Sequence, residues 1–299
     1  MAPSEGYLPT SDGIRLFFQT VGDGARVVLF PNGIYLLEDF ARFANGRTLV
    51  FFDVRNRGRS DPTDDRTKLA NGVHHDVDDL ETVRLHFGAD RVDVVAHSYV
   101  GVTAVLYAMK YPTHVGRVLQ IGPMGPFPDR RYPPHLSGED ETRREVLTRL
   151  SELEQERSRL DPVAFCRKFW TLLRLLYVFD PADAHKILKW ERCDLPNELN
   201  LMKYLMEDIL PSIHRLKLTP EDFSKVTMPV MTVHGTNDRS APYGGGREWA
   251  MVLPNARIVS VPNSAHAPWI EAPERVYRSI ETFLNGEWPG DAEQVTSGK

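Results

Sequence analysis

The chain is poor in cysteine and lacks long apolar runs. Among its 299 residues there are only 2 cysteines, too few for the disulfide framework of a small secreted protein. We therefore expect Cys166 and Cys193 to be buried or idle thiols. No apolar segment approaches the length of a membrane span, and residues 1–6 contain neither a basic start nor an apolar stretch. The sequence predicts a cytoplasmic protein without a membrane anchor.

A strong charge of either sign is also absent. The net charge is -5 at pH 7, which gives no reason to expect nucleic acid or an anionic membrane as a partner. The adjacent residues His74, His75 and Asp76 are metal-binding types, but neighbouring side chains diverge and no further cluster of such residues follows. We expect no metal and no cofactor.

Strand and helix patterns alternate in two parts of the chain. Short runs of β-branched and aromatic residues predict strands at 14–19, 26–30, 48–52, 92–95, 115–121, 230–234 and 256–261, and apolar residues at helical spacing predict helices at 77–85, 101–110, 247–252 and 273–284. This alternation predicts an α/β fold with a mainly parallel central sheet and helices on both faces.

Strand patterns are absent between residues 124 and 223. Three helix starts in this segment place a capping side chain before a proline: Asp161-Pro162, Asp180-Pro181 and Thr219-Pro220. Helices inserted between two strands predict a cap over the carboxyl ends of the sheet, where ligands bind in open α/β folds. The predicted organisation is a core of residues 1–123 and 224–286, a helical cap of residues 124–223, and a solvated tail of residues 287–299.

Ser98 is the most informative residue. It lies between the predicted strand 92–95 and the predicted helix 101–110, at a corner that is typical of a nucleophile elbow. A serine nucleophile needs a base and an acid. His266 and Asp238 follow two later predicted strands, so the pattern predicts a Ser98–His266–Asp238 triad for acyl transfer.

Four segments in order make residues 6–284 similar to the α/β-hydrolases that carry a helical cap. They are Pro31-Asn32-Gly33-Ile34, the arginine-rich loop from Asp53 to Asp61, the Ser98 elbow, and the pair of Asp238 and His266. The resemblance implies an oxyanion hole formed by the backbone N–H groups of Ile34 and Tyr99, with Gly33 turning the chain to aim the first donor. Asn32 stands where the family usually has histidine, and Val100 where it usually has glycine.

Two further sets of residues have expected roles. Asp53 is predicted to pair with Arg55 or Arg57 and so to set the loop that follows it. The candidate substrate-binding residues are Gly33 and four apolar residues of the predicted cap: Trp170, Tyr177, Met202 and Met206. The cap residues are expected either to pack together or to line an apolar acyl or alcohol pocket.

The predicted function is a serine carboxylic-ester hydrolase that acts through an acyl-enzyme on small or medium-sized apolar esters. The same triad also serves proline-iminopeptidase-like enzymes, lactonases and C–C bond hydrolases, which stay open as alternatives. A non-hydrolytic ligand-binding or cyclase member of the fold is a third class, because fold alone does not decide function. The expected partner is a small-molecule ester or related acyl substrate, and a homodimer is compatible with the sequence.

Overall fold

An eight-stranded sheet lies at the centre of the computed structural model, which describes residues 4–199 and 201–296, without the side chains of residues 201 and 202. The strands are β1 (Glu5–Pro9), β2 (Arg15–Val21), β3 (Arg26–Pro31), β4 (Arg47–Phe52), β5 (Val92–His97), β6 (Val115–Ile121), β7 (Val230–Gly235) and β8 (Ala256–Val261). Their spatial order is β1-β2-β4-β3-β5-β6-β7-β8. The strands from β3 to β8 run parallel, whereas β1 and β2 are antiparallel to their neighbours. The predicted fold class is confirmed.

Helices connect the strands and also fill the long interval between β6 and β7. They are α1 (Gly33–Phe40), α2 (Val73–His86), α3 (Val100–Lys110), α4 (Pro134–Ser137), α5 (Glu141–Glu156), α6 (Pro162–Tyr177), α7 (Pro196–Leu199), α8 (Leu201–Tyr204), α9 (Leu210–His214), α10 (Pro220–Ser224), α11 (Tyr243–Val252), α12 (Pro268–Glu271) and α13 (Pro273–Leu284). A 3₁₀ segment covers Pro181–Trp190, and a π-helical turn covers Leu205–Ile209 between α8 and α9.

Both faces of the sheet are covered by helices. Successive side chains of a strand point to opposite faces, and so Val94 and Val95 of β5 enter two different apolar clusters. The cluster of Val94 includes apolar residues of α2, α3 and α11. That of Val95 includes residues of α1 and α13. Burial on both faces explains why most residues of the parallel strands are apolar.

Three of the helical elements between β6 and β7 begin at the predicted capping residues. The Asp161 carboxylate accepts hydrogen bonds from two N–H groups of the first turn of α6, and Asp180 accepts one from Ala182. Thr219 forms a reciprocal capping box with Asp222 at the start of α10. These caps satisfy N–H groups that have no partner within the helix. None of the helices in the described ranges combines the length and apolar composition that a membrane crossing requires.

Two ends of the chain differ from the prediction. Residues 5–9 form β1, an edge strand that the sequence analysis missed. The segment predicted as a solvated tail is in part packed: Trp288 lies against Phe283 with ring centroids 5.2 Å apart, and the backbone of Glu293 pairs with Ile258 of β8. The prediction of a solvated tail is therefore wrong for residues 288–293, because they cover the edge of the sheet beside β8.

The prediction for the two cysteines is also wrong. Cys166 of α6 and Cys193 form a disulfide across 27 residues of sequence, and both are buried. Their pairing depends on how α6 packs against the segment that ends at Trp190, which no local pattern reveals. The bridge closes a loop within the helical segment between β6 and β7.

Reduction of this disulfide should destabilise the protein. Closing a loop of this length restricts the unfolded chain, so its loss is expected to lower the free energy of unfolding by about 3 kcal/mol. Urea denaturation with and without dithiothreitol measures the change. The double variant Cys166→Ser/Cys193→Ser should show the same loss and no further response to reductant. A transition that reductant leaves unmoved in the wild type would contradict this prediction.

Candidate active site

The predicted triad residues lie at one edge of the sheet. Ser98 follows β5, Asp238 follows β7 and His266 follows β8. These strands run parallel, so their carboxyl ends meet at the same edge, which is where open α/β sheets bind ligands. The sheet therefore brings three residues, separated by up to 168 positions, into one region (266 − 98).

Ser98 lies on a strained turn. Its φ is 62°, and the other non-glycine residues with positive φ in the described part of the chain are all asparagines. Asparagine tolerates this left-handed conformation, whereas serine rarely adopts it. The Ser98 N–H donates to the Ile121 carbonyl of β6 at 3.0 Å, and α3 begins two residues later at Val100. This is the strand–turn–helix geometry of a nucleophile elbow.

Asp238 and His266 form a buried hydrogen-bonded pair. Oδ2 of Asp238 accepts from Nδ1 of His266 at 2.8 Å, and both side chains are completely buried. Burial opposes the charged carboxylate, but the charge and hydrogen bonds of His266 and His234 outweigh it and hold the pKa of Asp238 well below its usual range. An ionised Asp238 accepts the Nδ1 proton, which leaves Nε2 as the basic nitrogen. In the described residues Nε2 has no hydrogen-bond partner.

His234 is a residue of this site that the sequence analysis missed. Its Nε2 donates to Oδ2 of Asp238 at 3.0 Å and to the Ala241 carbonyl at 3.1 Å. The other carboxylate oxygen accepts the N–H groups of Ser240 and Ala241, each at 2.8 Å. Its position four residues before Asp238 was the available signal, but His234 lies within a buried strand and resembles an ordinary core residue there.

Gly122 makes room for the pair at the end of β6. Its φ is 51°, and a Cβ atom at this position would lie 3.0 Å from Nδ1 of His266 and 3.2 Å from Oδ2 of Asp238. Any side chain would press on the hydrogen bond between these two residues. The pair therefore needs glycine at this position.

His97 holds the backbone of His266 through a hydrogen bond. Its Nε2 donates to the His266 carbonyl at 2.9 Å, and the two rings lie 4.5 Å apart. Burial, with a further contribution from the charge of His266, lowers the pKa of His97 to about 3. The ring is therefore neutral at physiological pH. Tyr177 packs against His266 from the helical segment, with ring centroids 4.7 Å apart.

The prediction that the Ile34 N–H is an oxyanion donor is wrong. Its N–H already donates to Oδ1 of Asp53 at 2.8 Å. Asp53 accepts a second N–H, that of Arg59, at 2.9 Å, so it does not pair with Arg55 or Arg57 as predicted. The physical reason is that Asn32 takes a left-handed conformation and α1 begins immediately after it. Ile34 is thereby turned toward the loop after β4.

Gly33 packs against β4 and is not among the residues that line the cavity beside Ser98, and its role in substrate binding stays a prediction. A Cβ at this position would lie 2.8 Å from Phe51 and 2.9 Å from the backbone nitrogen of Phe52, so glycine is required for the close packing of α1 on β4. Asn32 and Tyr99 line the cavity beside Ser98 instead. Within the described residues, the N–H groups of Asn32, Gly33 and Tyr99 donate to no acceptor. They lie at the starts of α1 and α3, where N–H groups have no helical partner.

A cavity of about 950 Å³ opens beside Ser98. The helical segment and the carboxyl ends of the strands enclose it together. Trp170 and Tyr177 line it, as does Met206, which is 53% exposed. The side chain of Met202 lies outside the described residues. Three of the five predicted substrate-binding residues thus contact one cavity.

A buried acid lies behind Tyr99. Asp76 of α2 is 1% exposed, and its Oδ1 accepts a long hydrogen bond of 3.5 Å from the Tyr204 hydroxyl. Burial, and next the charge of Asp79, raise the pKa of Asp76 to about 8. The folded protein therefore keeps this carboxyl protonated at a pH where the unfolded chain has ionised it.

Asp76 should make the protein less stable as pH rises. The unfolded state loses this proton near pH 4 and the folded state near pH 8, so the free energy of unfolding falls between these values by about 1.4 kcal/mol per pH unit. Asp76→Asn should flatten that slope, measured by urea denaturation at pH 5, 6, 7 and 8. The exposed substitution Asp90→Asn is the control and should keep the wild-type slope. Equal slopes for wild type and Asp76→Asn would refute the assignment.

Comparison with known proteins identifies the family. The profile of the alpha/beta hydrolase fold matches residues 26–273, so the chain belongs to the α/β-hydrolase fold family. It is 25% identical over 293 residues to a bifunctional esterase/perhydrolase of Acinetobacter calcoaceticus, covering 93% of this chain and 99% of the relative. It is also 25% identical over 255 residues to a proline iminopeptidase of Saccharolobus solfataricus, covering 80% of this chain and 76% of the relative.

A solved structure agrees with this assignment at the level of the fold. An esterase of Exiguobacterium antarcticum has a TM-score of 0.72 with this structure at 15% sequence identity, covering 95% of this chain and 100% of that chain. The family and these relatives together support a hydrolase.

Proposed function

We propose that the protein is a serine hydrolase that cleaves carboxylic esters through an acyl-enzyme. The observation that carries the proposal is the combination of a strained, cavity-facing Ser98 with a His266 whose Nδ1 is bound by Asp238 and whose Nε2 has no hydrogen-bond partner among the described residues. In this assignment Ser98 is the nucleophile, His266 the general base and acid, and Asp238 the group that orients the imidazole. The esterase name of the relative from Acinetobacter calcoaceticus also supports an ester substrate.

The reaction proceeds in two halves. The Ser98 hydroxyl attacks the ester carbonyl while Nε2 of His266 takes its proton, and the tetrahedral intermediate expels the alcohol as His266 returns that proton. Water then repeats the sequence on the acyl-enzyme, and Ser98 is regenerated. The oxyanion needs preorganised donors, worth several kcal/mol in a site that excludes water. We assign these to the N–H of Tyr99 and to the free N–H groups at the start of α1.

The helical segment between β6 and β7 acts as the cap in this proposal. Its Trp170 and Tyr177 give the cavity aromatic walls, which favours an apolar acyl or alcohol group next to the reacting carbonyl. A cytoplasmic location stays a prediction, and the disulfide between Cys166 and Cys193 argues against it, because such bonds are rare in the cytosol.

Ester hydrolysis should depend on the Ser98 hydroxyl. With p-nitrophenyl esters from acetate to decanoate, the wild type should turn over a range of chain lengths, and Ser98→Ala should lose about 10⁴-fold or more of kcat, because the nucleophile is gone. Release of p-nitrophenol is the readout. The exposed serine variant Ser224→Ala is the matched control and should keep wild-type activity. Turnover by Ser98→Ala at the wild-type rate would remove Ser98 from the mechanism.

Labelling with a fluorophosphonate separates the remaining alternatives. A wild type that reacts at Ser98 but hydrolyses none of these esters would favour a narrower reaction, such as iminopeptidase, lactonase or C–C bond cleavage. A Ser98 that does not react at all would favour the non-hydrolytic class. In either case the ester assignment fails, although the family assignment is unaffected.

A further inference from the structure

Arg57 is a buried cation in the wall of the cavity. It lies in the loop after β4, is 5% exposed and lines the cavity with Ser98. Its Nη2 donates to the Tyr35 hydroxyl at 2.8 Å, and its Nε lies 3.4 Å from Oε1 of Glu198. The remaining nitrogen, Nη1, donates to no acceptor in the described part of the chain.

The nearby carboxylate neutralises Arg57 only in part. Oε1 of Glu198 accepts the Gly58 N–H at 2.8 Å, a shorter contact than the one it makes with Arg57. Its Oε2 accepts the Tyr35 hydroxyl. Glu198 is thus shared among three donors, and its contact with Arg57 is a single long one rather than the bidentate pair that a guanidinium forms best.

Two tryptophan side chains that line the cavity lie beside Arg57 and Tyr35. Trp170 and Trp190 flank the Tyr35 ring, with centroids 5.8 Å and 6.1 Å away, and the indole N–H groups of both have no partner in the described residues. Arg57 itself lies 5.3 Å from the centroid of the Tyr35 ring. Aromatic rings therefore line the cavity around Arg57, and the carboxylate of Glu198 behind it is already occupied.

More basic than acidic residues line the cavity, although the chain as a whole has a negative net charge. The basic lining residues are Arg57, Arg130, Arg143, Arg157, Lys203 and Arg239, and the acidic ones are Glu154 and Glu207. The net charge of the whole chain is -5. Each of the other five lining cations lies within 4.0 Å of a carboxylate, such as Arg130 with Glu248 at 3.1 Å. Arg57 differs from them because its carboxylate partner is buried and shared with two other donors.

We propose that Arg57 binds a carboxylate of the substrate, and that the preferred substrates are esters that also carry a free carboxylate, such as monoesters of aliphatic dicarboxylic acids. This inference rests on the proposed ester hydrolysis. Arg57 lines the same cavity as Ser98 and Tyr99 of the elbow. The substrate carboxylate accepts from Nη1 while the ester carbonyl lies at Ser98, and no covalent step at Arg57 is involved.

The test compares two substrates that differ only in charge. Monomethyl esters of dicarboxylic acids from succinate to suberate are each paired with the neutral ester in which the free acid is a primary amide. We expect the wild type to prefer the acid in kcat/KM by about tenfold or more at its best chain length. Arg57→Met should reduce that ratio to about one, and Arg57→Lys should keep part of it, since lysine retains the charge but not the planar fork.

Three controls distinguish direct binding of the carboxylate by Arg57 from long-range electrostatic attraction and from misfolding of the variant. Because the ratio is taken within one enzyme, a general loss of activity cancels. Arg57→Met/Glu198→Gln removes the buried carboxylate that Arg57→Met would leave unpaired, and its ratio should also be about one. Arg130→Met, at the rim of the cavity, should keep the wild-type ratio at 0.5 M salt, where long-range attraction is screened. A wild-type ratio near one, or one that survives Arg57→Met, would overturn the inference and leave ester hydrolysis standing.

A binding measurement keeps the inference testable if no ester is hydrolysed. Titration of the wild type with the dicarboxylates from succinate to suberate, followed by calorimetry, should reveal at least one that binds. Its Kd should be about tenfold weaker or more for Arg57→Met. Absence of binding by all of them, or equal Kd values for both proteins, would overturn the role of Arg57 whatever reaction Ser98 performs.

Discussion

One buried carboxylate, that of Asp238, organises the candidate site. Each of its oxygens accepts two hydrogen bonds: Oδ2 from His266 and His234, and Oδ1 from the N–H groups of Ser240 and Ala241. A buried carboxylate without such partners would take up a proton or destabilise the fold. The four donors therefore permit a negative charge here, and that charge in turn sets the tautomer and orientation of His266.

Four donors can converge on Asp238 only if the loops after β6, β7 and β8 approach one another closely. Gly122 is one place where this approach excludes a side chain. Gly235 is another, because a Cβ there would lie 2.2 Å from the Ala265 carbonyl oxygen. A methyl group at either position would displace the backbone that carries Asp238 or His266. The electrostatics of the pair thus depends on small residues at strand ends as much as on the charged groups.

The sequence predicted the elements that can be recognised from the pattern of neighbouring residues. The parallel strands are rich in apolar and β-branched residues, and the bounds of β6 and β8 match the prediction to the residue. The turn at Ser98 was visible because a strand and a helix meet there. Contacts between segments that are distant in the sequence could not be predicted from such local patterns. The disulfide between Cys166 and Cys193, the approach of His234 to the site, and the hydrogen bond that occupies Ile34 each depend on how separate elements pack.

The same contacts join the helical segment to the core and orient Arg57. Glu198 belongs to α7, yet it accepts from Tyr35 and from the Gly58 N–H in the core, and Asn197 donates to a carbonyl of the loop after β4 at 2.6 Å. If the helices moved away from the sheet, Arg57 would lose its only carboxylate partner among the described residues, and a buried cation left alone costs several kcal/mol. The position of the helical segment and the charge presented to the cavity are therefore coupled. A substitution at Glu198 would alter both what the cavity accepts and how firmly the helices pack over Ser98.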